Sequence, residues 1–237
     1  TVWNERISEE SADYTLSSKY FVTSDDPQYY LVPVYGAAPP HKHPICGATH
    51  TDIGDHTGTC ENVDWTAWDG TDMDEGEAGI QLNAGNYYLT KDVIVTSDAR
   101  GIHPVGNVAL CLNGHTISCE SGAAITATIS FDETDDCLTL TDCAGTGLVT
   151  RPADDVSVTI WISSGKLEQY GGTIQATAAD NQSTAIWNQN NGTFSQYGGK
   201  IESESIGIHS LNESTVNLYG GTIEAAIADI YVRTEGA

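Results

Sequence analysis

The chain has 237 residues, with 33 acidic against 9 basic side chains and a formal net charge of −24. That balance opposes binding to nucleic acid or to an anionic membrane. It also opposes a lyase acting on acidic glycans, whose site needs Lys or Arg to neutralise the substrate carboxylate. Hydrophobic residues make up 39 % of the chain, enough for a core, and no apolar run of about 18 residues predicts a membrane span.

Residues 1–40 read as an N-terminal β segment or cap, with Asp13–Thr23 and Gln28–Tyr35 as candidate strands and Ala37–Pro40 as a linker. The chain opens at Thr1 with neither a methionine nor a secretory leader, as expected of a monomeric module cut from a longer polypeptide. Residues 41–64 are a Cys/His-rich loop in which His41, His43, His50 and His56 crowd beside Cys46 and Cys60 without a hydrophobic period. Imidazole and thiolate are the donors of a tetrahedral zinc site, and His41, His43, Cys46, His56 and Cys60 are the candidate ligands. Such a zinc would be structural, pinning a loop that has no core of its own. The spacing is not that of a standard zinc finger, and a Cys46–Cys60 disulfide with surface histidines is the alternative reading.

From residue 65 to 237 the expectation is an all-β parallel β-helix. Ile160-Trp161, Ile186-Trp187, Ile208-His209 and Ile230-Tyr231 recur every 22 to 26 residues, punctuated by Tyr-Gly-Gly at 170–172, 197–199 and 219–221. That period is shorter than helical-hairpin repeats of roughly 34 residues and fits one turn of a β-helix. Within each turn, Leu167-Glu168-Gln169, Val216-Asn217-Leu218 and Ile223-Glu224-Ala225 show the alternation of strands with one buried face. The Ile174 to Ile186 interval is longer than Ile201 to Ile208, which predicts a surface loop at Ala178–Gln182. Upstream, Val108-Ala109-Leu110 leads through Asn113-Gly114 to Ile117, and Leu138-Thr139-Leu140 leads to Leu148-Val149. The count is about five coils, roughly 24 Å along the axis.

Six cysteines, one methionine and a Thr/Gly/Asn-rich β composition point to an oxidising, extracellular setting. A Cys119–Cys137 bridge with Cys111–Cys143 stacked beneath it is one expectation; small buried core residues are the other.

A set of motifs in fixed order carries a resemblance. His-x-His-x-x-Cys-Gly at 41–47, Gly54-Asp55-His56-Thr57, Trp65-Thr66-Ala67-Trp68, Ala84-Gly85-Asn86-Tyr87-Tyr88-Leu89-Thr90, Leu110-Cys111-Leu112-Asn113-Gly114-His115-Thr116-Ile117 and Leu138-Thr139-Leu140-Thr141-Asp142-Cys143 span residues 41–150. The Tyr-Gly-Gly-x-Ile coils continue them. Together they resemble a module of large secreted, adhesin-like surface proteins of gut Firmicutes. The resemblance implies a right-handed parallel β-helix displayed outside a Gram-positive cell, and it implies little about the ligand.

Two outer ladders are candidate sites. If the repeated isoleucines point inward, Trp161, Trp187, His209 and Tyr231 point outward on successive coils. Such a column can stack on sugar rings or anchor a protein interface, or it can simply hold adjacent coils together. Glu202 and Glu224 occupy equivalent positions after Ile201 and Ile223, with Gln175 as the third equivalent. Their rung spacing of about 5 Å is near that of the carboxyl pair of a retaining glycosidase; solvated glutamates are the plainer reading. The calcium-binding nonapeptide, a nucleophile elbow and a phosphate-binding loop are all absent. The functional expectation is a non-enzymatic surface module engaging a host glycoprotein such as mucin or immunoglobulin, or its glycan. A glycoside hydrolase and a structural spacer are the alternatives.

Overall fold

The computed structural model describes residues 65–73, 79–96, 101–119, 127–131, 133–151, 158–177 and 183–233, together with the backbone of three short strands nearer the N-terminus. Among the described residues every regular element is a β-strand. In chain order these are β1 (Tyr20–Phe21), β2 (His41–Lys42), β3 (Thr49–His50), β4 (Thr66–Trp68), β5 (Ile80–Leu89), β6 (Val93–Val95), β7 (Ile102–Cys111), β8 (Thr116–Cys119), β9 (Ala127–Phe131), β10 (Cys137–Thr141), β11 (Leu148–Arg151), β12 (Val158–Ile162), β13 (Lys166–Gln169) and β14 (Thr173–Ala176). The series ends with β15 (Thr184–Asn188), β16 (Thr193–Gln196), β17 (Lys200–Ser203), β18 (Ile206–Leu211), β19 (Thr215–Leu218), β20 (Thr222–Ala225) and β21 (Ala228–Arg233).

Apart from the antiparallel β2–β3 pair, all pairing is parallel, each strand lying on its equivalent one turn away. The result is a parallel β-helix with three faces. The first face stacks β9, β12, β15, β18 and β21; the second stacks β10, β13, β16 and β19; the third stacks β6, β8, β11, β14, β17 and β20. The long strands β5 and β7 run through the corner between the first and second faces, which joins those two faces into one 13-stranded sheet. The six strands of the third face count six coils.

The sixth coil is the one the repeat count omits. Its β5 and β6 lack the Tyr-Gly-Gly punctuation, and β5 carries a bulge between Asn83 and Gly85, so no 22-residue phrase marks it. Its core residues nonetheless stack: Leu82, Leu89, Val93 and Val95 are all buried.

The interior is a set of apolar columns. Ile129, Ile160, Ile186, Ile208 and Ile230 stack on the first face. Val108, Leu138, Leu167, Phe194 and Val216 stack on the second, and Val93, Ile117, Val149, Ile174, Ile201 and Ile223 on the third. Each branched side chain meets its like one turn above and below, so alternation buries one side of every strand.

Three consecutive buried residues open β12, which simple alternation does not allow. The extra one, Thr159, is accommodated because its hydroxyl donates to the Gln175 carbonyl at 2.7 Å; Thr128 does the same to Thr150 at 3.1 Å. A second polar feature sits on the inward column of the second face, where Gln169 and Gln196 are buried. The Gln169 amide donates to the carbonyls of Gly172 and Lys200 at 3.1 and 3.2 Å, tying one turn to the next.

The Tyr-Gly-Gly turns follow from backbone geometry. Gly199 has φ +77°, and a Cβ there would lie 2.6 Å from the Gly172 carbonyl oxygen of the coil beneath. Only glycine admits both that dihedral and that approach. The tyrosines of the same turns form a flat stack, Tyr170 on Tyr197 at 4.6 Å and Tyr197 on Tyr219 at 4.8 Å, with planes within 13°.

Within the expected N-terminal strand Asp13–Thr23, Tyr20–Phe21 forms β1, which pairs in parallel with β21 and adds a rung to the first face at its C-terminal end. The Gln28–Tyr35 strand and the Ala178–Gln182 loop lie outside the described residues. No helix among the described residues is long and apolar enough to cross a membrane.

Candidate ligand-binding face

Parallel register carries Trp161, Trp187, His209 and Tyr231 onto one outward column of the first face. The rings touch. Trp161 and Trp187 lie 6.4 Å apart at 50°, Trp187 and His209 4.3 Å apart at 62°, and His209 and Tyr231 4.8 Å apart at 70°. These are tilted and edge-to-face arrangements, so positive ring edges meet negative faces, and each pair adds about 0.5–1.5 kcal/mol beyond its buried area. The column therefore holds coils together as well as presenting aromatic surface.

Exposure divides the four. Trp161, Trp187 and Tyr231 remain partly open, whereas His209 is only 7 % exposed. His209 is thus a spacer inside the column, a correction to its expected place among the outward contact residues. Burial, reinforced by the nearby positive charge of Arg233, depresses its pKa to about 4 and keeps it neutral. Neither ring nitrogen of His209 has a hydrogen-bond partner, and the same holds for the buried indole N–H of Trp161. Trp187 is different: its N–H donates to Gln189 Oε1 at 3.0 Å. Unpaired buried polar atoms carry a desolvation cost of about 1–3 kcal/mol each, which the packing of the column has to offset.

The column is longer than the sequence pattern suggests. Gln81 pairs with His103, and Ser130 pairs with Trp161, so Gln81, His103 and Ser130 occupy the same register position on earlier coils. His103 Nδ1 lies 3.1 Å from the Ser130 carbonyl oxygen, and the His103 ring faces the buried Asp136 carboxylate at 3.9 Å. Only register reveals this, since those coils carry no tryptophan or tyrosine at the position. At the other end Phe21 of β1 is the Cα partner of Tyr231.

The acidic ladder is built as expected in register, with Thr150, Gln175, Glu202 and Glu224 in one outward column of the third face. Its chemistry is that of an ion-pair network. Lys200 Nζ sits 2.6 Å from Glu202 and 2.9 Å from Glu224, and the Gln175 amide donates to Glu202 at 3.0 Å. The Lys200 ammonium pulls the Glu202 carboxyl below its ordinary range, whereas a glycosidase acid needs its pKa raised. The hollow beside these side chains is shallow and open, about 230 Å³, lined by Gln175, Thr177, Glu202, Glu204 and Glu224 among others. Nothing in it excludes water from a reacting bond.

The cysteines separate cleanly. Cys111 and Cys143 approach to 3.2 Å between sulfurs. Cys119 is a buried core residue in register with Val95, and Cys137 is on the outward side of β10 between Asn107 and Lys166. A Cys119–Cys137 bridge does not suit this arrangement, because the two side chains lie on different faces, one inward and one outward.

Of the expected zinc ligands, His43, Cys46, His56 and Cys60 lie outside the described residues. His41 lies on β2, whose backbone pairs antiparallel with β3, opposite His50. Among the described residues no group of three or more His, Cys, Asp or Glu is arranged to hold a metal ion. The chain matches no protein-family model, no curated protein and no solved structure.

Proposed function

We propose that this chain is a non-enzymatic recognition module of a bacterial surface protein, acting outside the cell and engaging a host mucosal glycoprotein through the first face of the β-helix. Mucin and immunoglobulin are the candidate glycoproteins. The observation that carries the reading is the Trp161–Trp187–His209–Tyr231 column, aromatic surface fixed on a stacked β scaffold. Sugar rings offer apolar C–H faces that stack on the partly open rings of Trp161, Trp187 and Tyr231. A net charge of −24 favours neutral sugars over sialylated or sulfated ones. The rigid scaffold lowers the entropy cost of binding, since the side chains are already ordered by their neighbours.

The test is a binding screen of the purified chain against mucin glycans, immunoglobulins and other mucosal glycoproteins, with product analysis on each glycan. Saturable binding without product, weakened at least about tenfold in the Trp187→Ala/Tyr231→Ala double variant, supports the module; a tenfold loss corresponds to about 1.4 kcal/mol. Binding unaffected by that variant removes the proposed site. Glycan cleavage, abolished by Glu202→Gln, would replace this reading with that of a hydrolase.

A further inference from the structure

The outer edge where the second face turns toward the third holds a single register column. Tyr88 pairs with Cys111, Cys111 pairs with Thr141, and Tyr170 follows one residue beyond the Leu140–Gln169 pair. Tyr197 and Tyr219 continue it as stacked rings. The tyrosine stack thus joins the later coils, while the second and third coils have Cys111 and Thr141 in its place. At that gap Cys143, two residues past Thr141 in the turn of the third coil, brings its sulfur to 3.2 Å from that of Cys111, and its backbone N–H lies 3.4 Å from the same sulfur.

The two turns are fixed relative to each other by Asp142. Its Oδ1 accepts from the Gly114 N–H at 2.8 Å on the second coil, and its Oδ2 accepts from the Gly147 N–H at 2.6 Å on the third. The turns that carry the two cysteines are therefore tied together, with the sulfurs 3.2 Å apart. Accessibility is asymmetric: Cys143 is exposed and Cys111 is 2 % exposed.

We propose that Cys111 and Cys143 are a thiol–disulfide exchange site that closes into a cross-coil disulfide, with Cys143 meeting the oxidant and Cys111 resolving it. The oxidant is a low-molecular-weight disulfide such as oxidised glutathione. The Cys143 thiolate attacks one sulfur of the reagent, forming a mixed disulfide and releasing one thiolate. Cys111 then attacks the Cys143 sulfur, forming the protein disulfide and expelling the second thiolate. Two protein thiols are oxidised, one reagent disulfide is reduced to two thiols, and the two protein protons leave on the products.

In the reduced pair the hydrogen bond with the Cys143 thiol brings the Cys111 thiol down to about 7 against the opposing effect of burial; once that thiol is consumed, the Cys143 backbone N–H at 3.4 Å remains as a donor to the resolving sulfur. Cys137 is the opposite case, its thiol pushed up by burial and by the Glu168 carboxylate. The bond would tie the two coils where the tyrosine stack is missing.

The test is peptide mapping of the full chain by differential alkylation after equilibration in reduced and oxidised glutathione. The expected result is a Cys111–Cys143 linked peptide in the oxidised sample. Its formation should raise the melting temperature by about 10 °C, from closure of a loop of roughly 32 residues, with no such rise in the Cys111→Ser/Cys143→Ser variant. The Cys111→Ser variant should accumulate glutathione on Cys143. Recovery of both cysteines alkylated in the oxidised buffer, or linkage of either to Cys119 or Cys137, overturns the proposal. Glutathione accumulating on Cys111 in the Cys143→Ser variant, with Cys143 unmodified in the converse one, overturns the assigned order.

Discussion

Acidification should destabilise the protein through His209, and the size of the effect follows from its place in the column. The ring is 7 % exposed between Trp187 and Tyr231 and has no partner for either nitrogen. Its folded pKa of about 4 lies below the ordinary histidine value of 6.5. The unfolded chain therefore takes up a proton first as pH falls. Stability from the neutral ring is complete above the unfolded pKa and is lost progressively as pH falls from there through the folded pKa. Between about pH 7.5 and pH 5 the full shift would cost about 2 kcal/mol; residual solvent screening brings this to roughly 1–2 kcal/mol. For a domain of this size that is a melting shift of about 3–8 °C. Because the net charge of −24 also responds to pH, the assay compares wild type with His209→Phe, which keeps an aromatic ring in the column without a titrating group. As pH falls across this range the wild type should lose a few degrees of melting temperature relative to the variant. Parallel curves would refute the claim that a neutral buried imidazole contributes to folding.

Three further outcomes follow from the packing. Ile186→Ala removes a fully buried side chain from the column between Ile160 and Ile208 and should cost about 3 kcal/mol in a denaturant titration; a loss below about 1 kcal/mol would mean the coil collapses around the cavity. Asp142→Ala strips the acceptor from the Gly114 and Gly147 N–H groups, with an expected loss of about 2–3 kcal/mol and faster amide exchange in both turns; unchanged exchange would count against the clamp. Lys200→Met leaves Glu202 without its ammonium partner, so its carboxyl should titrate at higher pH in a carbon-detected NMR titration. A titration identical to wild type would show that the bridge contributes nothing in solution.

Much of the architecture is legible because stacking repeats the same local problem. Each coil must bury a branched residue at one position and turn at another, and Ile160, Ile186, Ile208 and Ile230 with the Tyr-Gly-Gly turns state both requirements in plain periodicity. The coil containing β5 and β6 escapes that reading because its bulge and continuous corner strand solve the same burial with a different spacing. Gln169 and Gln196 show the converse: sequence makes them polar, and only the closed corner, where an amide finds carbonyls on the next turn, makes them interior.

The sequence alone determined the strand period, the inward columns and the alignment of Trp161, Trp187, His209 and Tyr231, since parallel register at a fixed repeat dictates which residue lies over which. Tertiary structure decided what those alignments became. It buried His209 in the middle of an outward column, placed Lys200 between two glutamates, and brought Cys111 to Cys143 while sending Cys119 inward and Cys137 outward. Repeat spacing fixes position along a face, but charge pairing, exposure and sulfur contact depend on what the neighbouring coil presents, and that comes into being only when the coils stack.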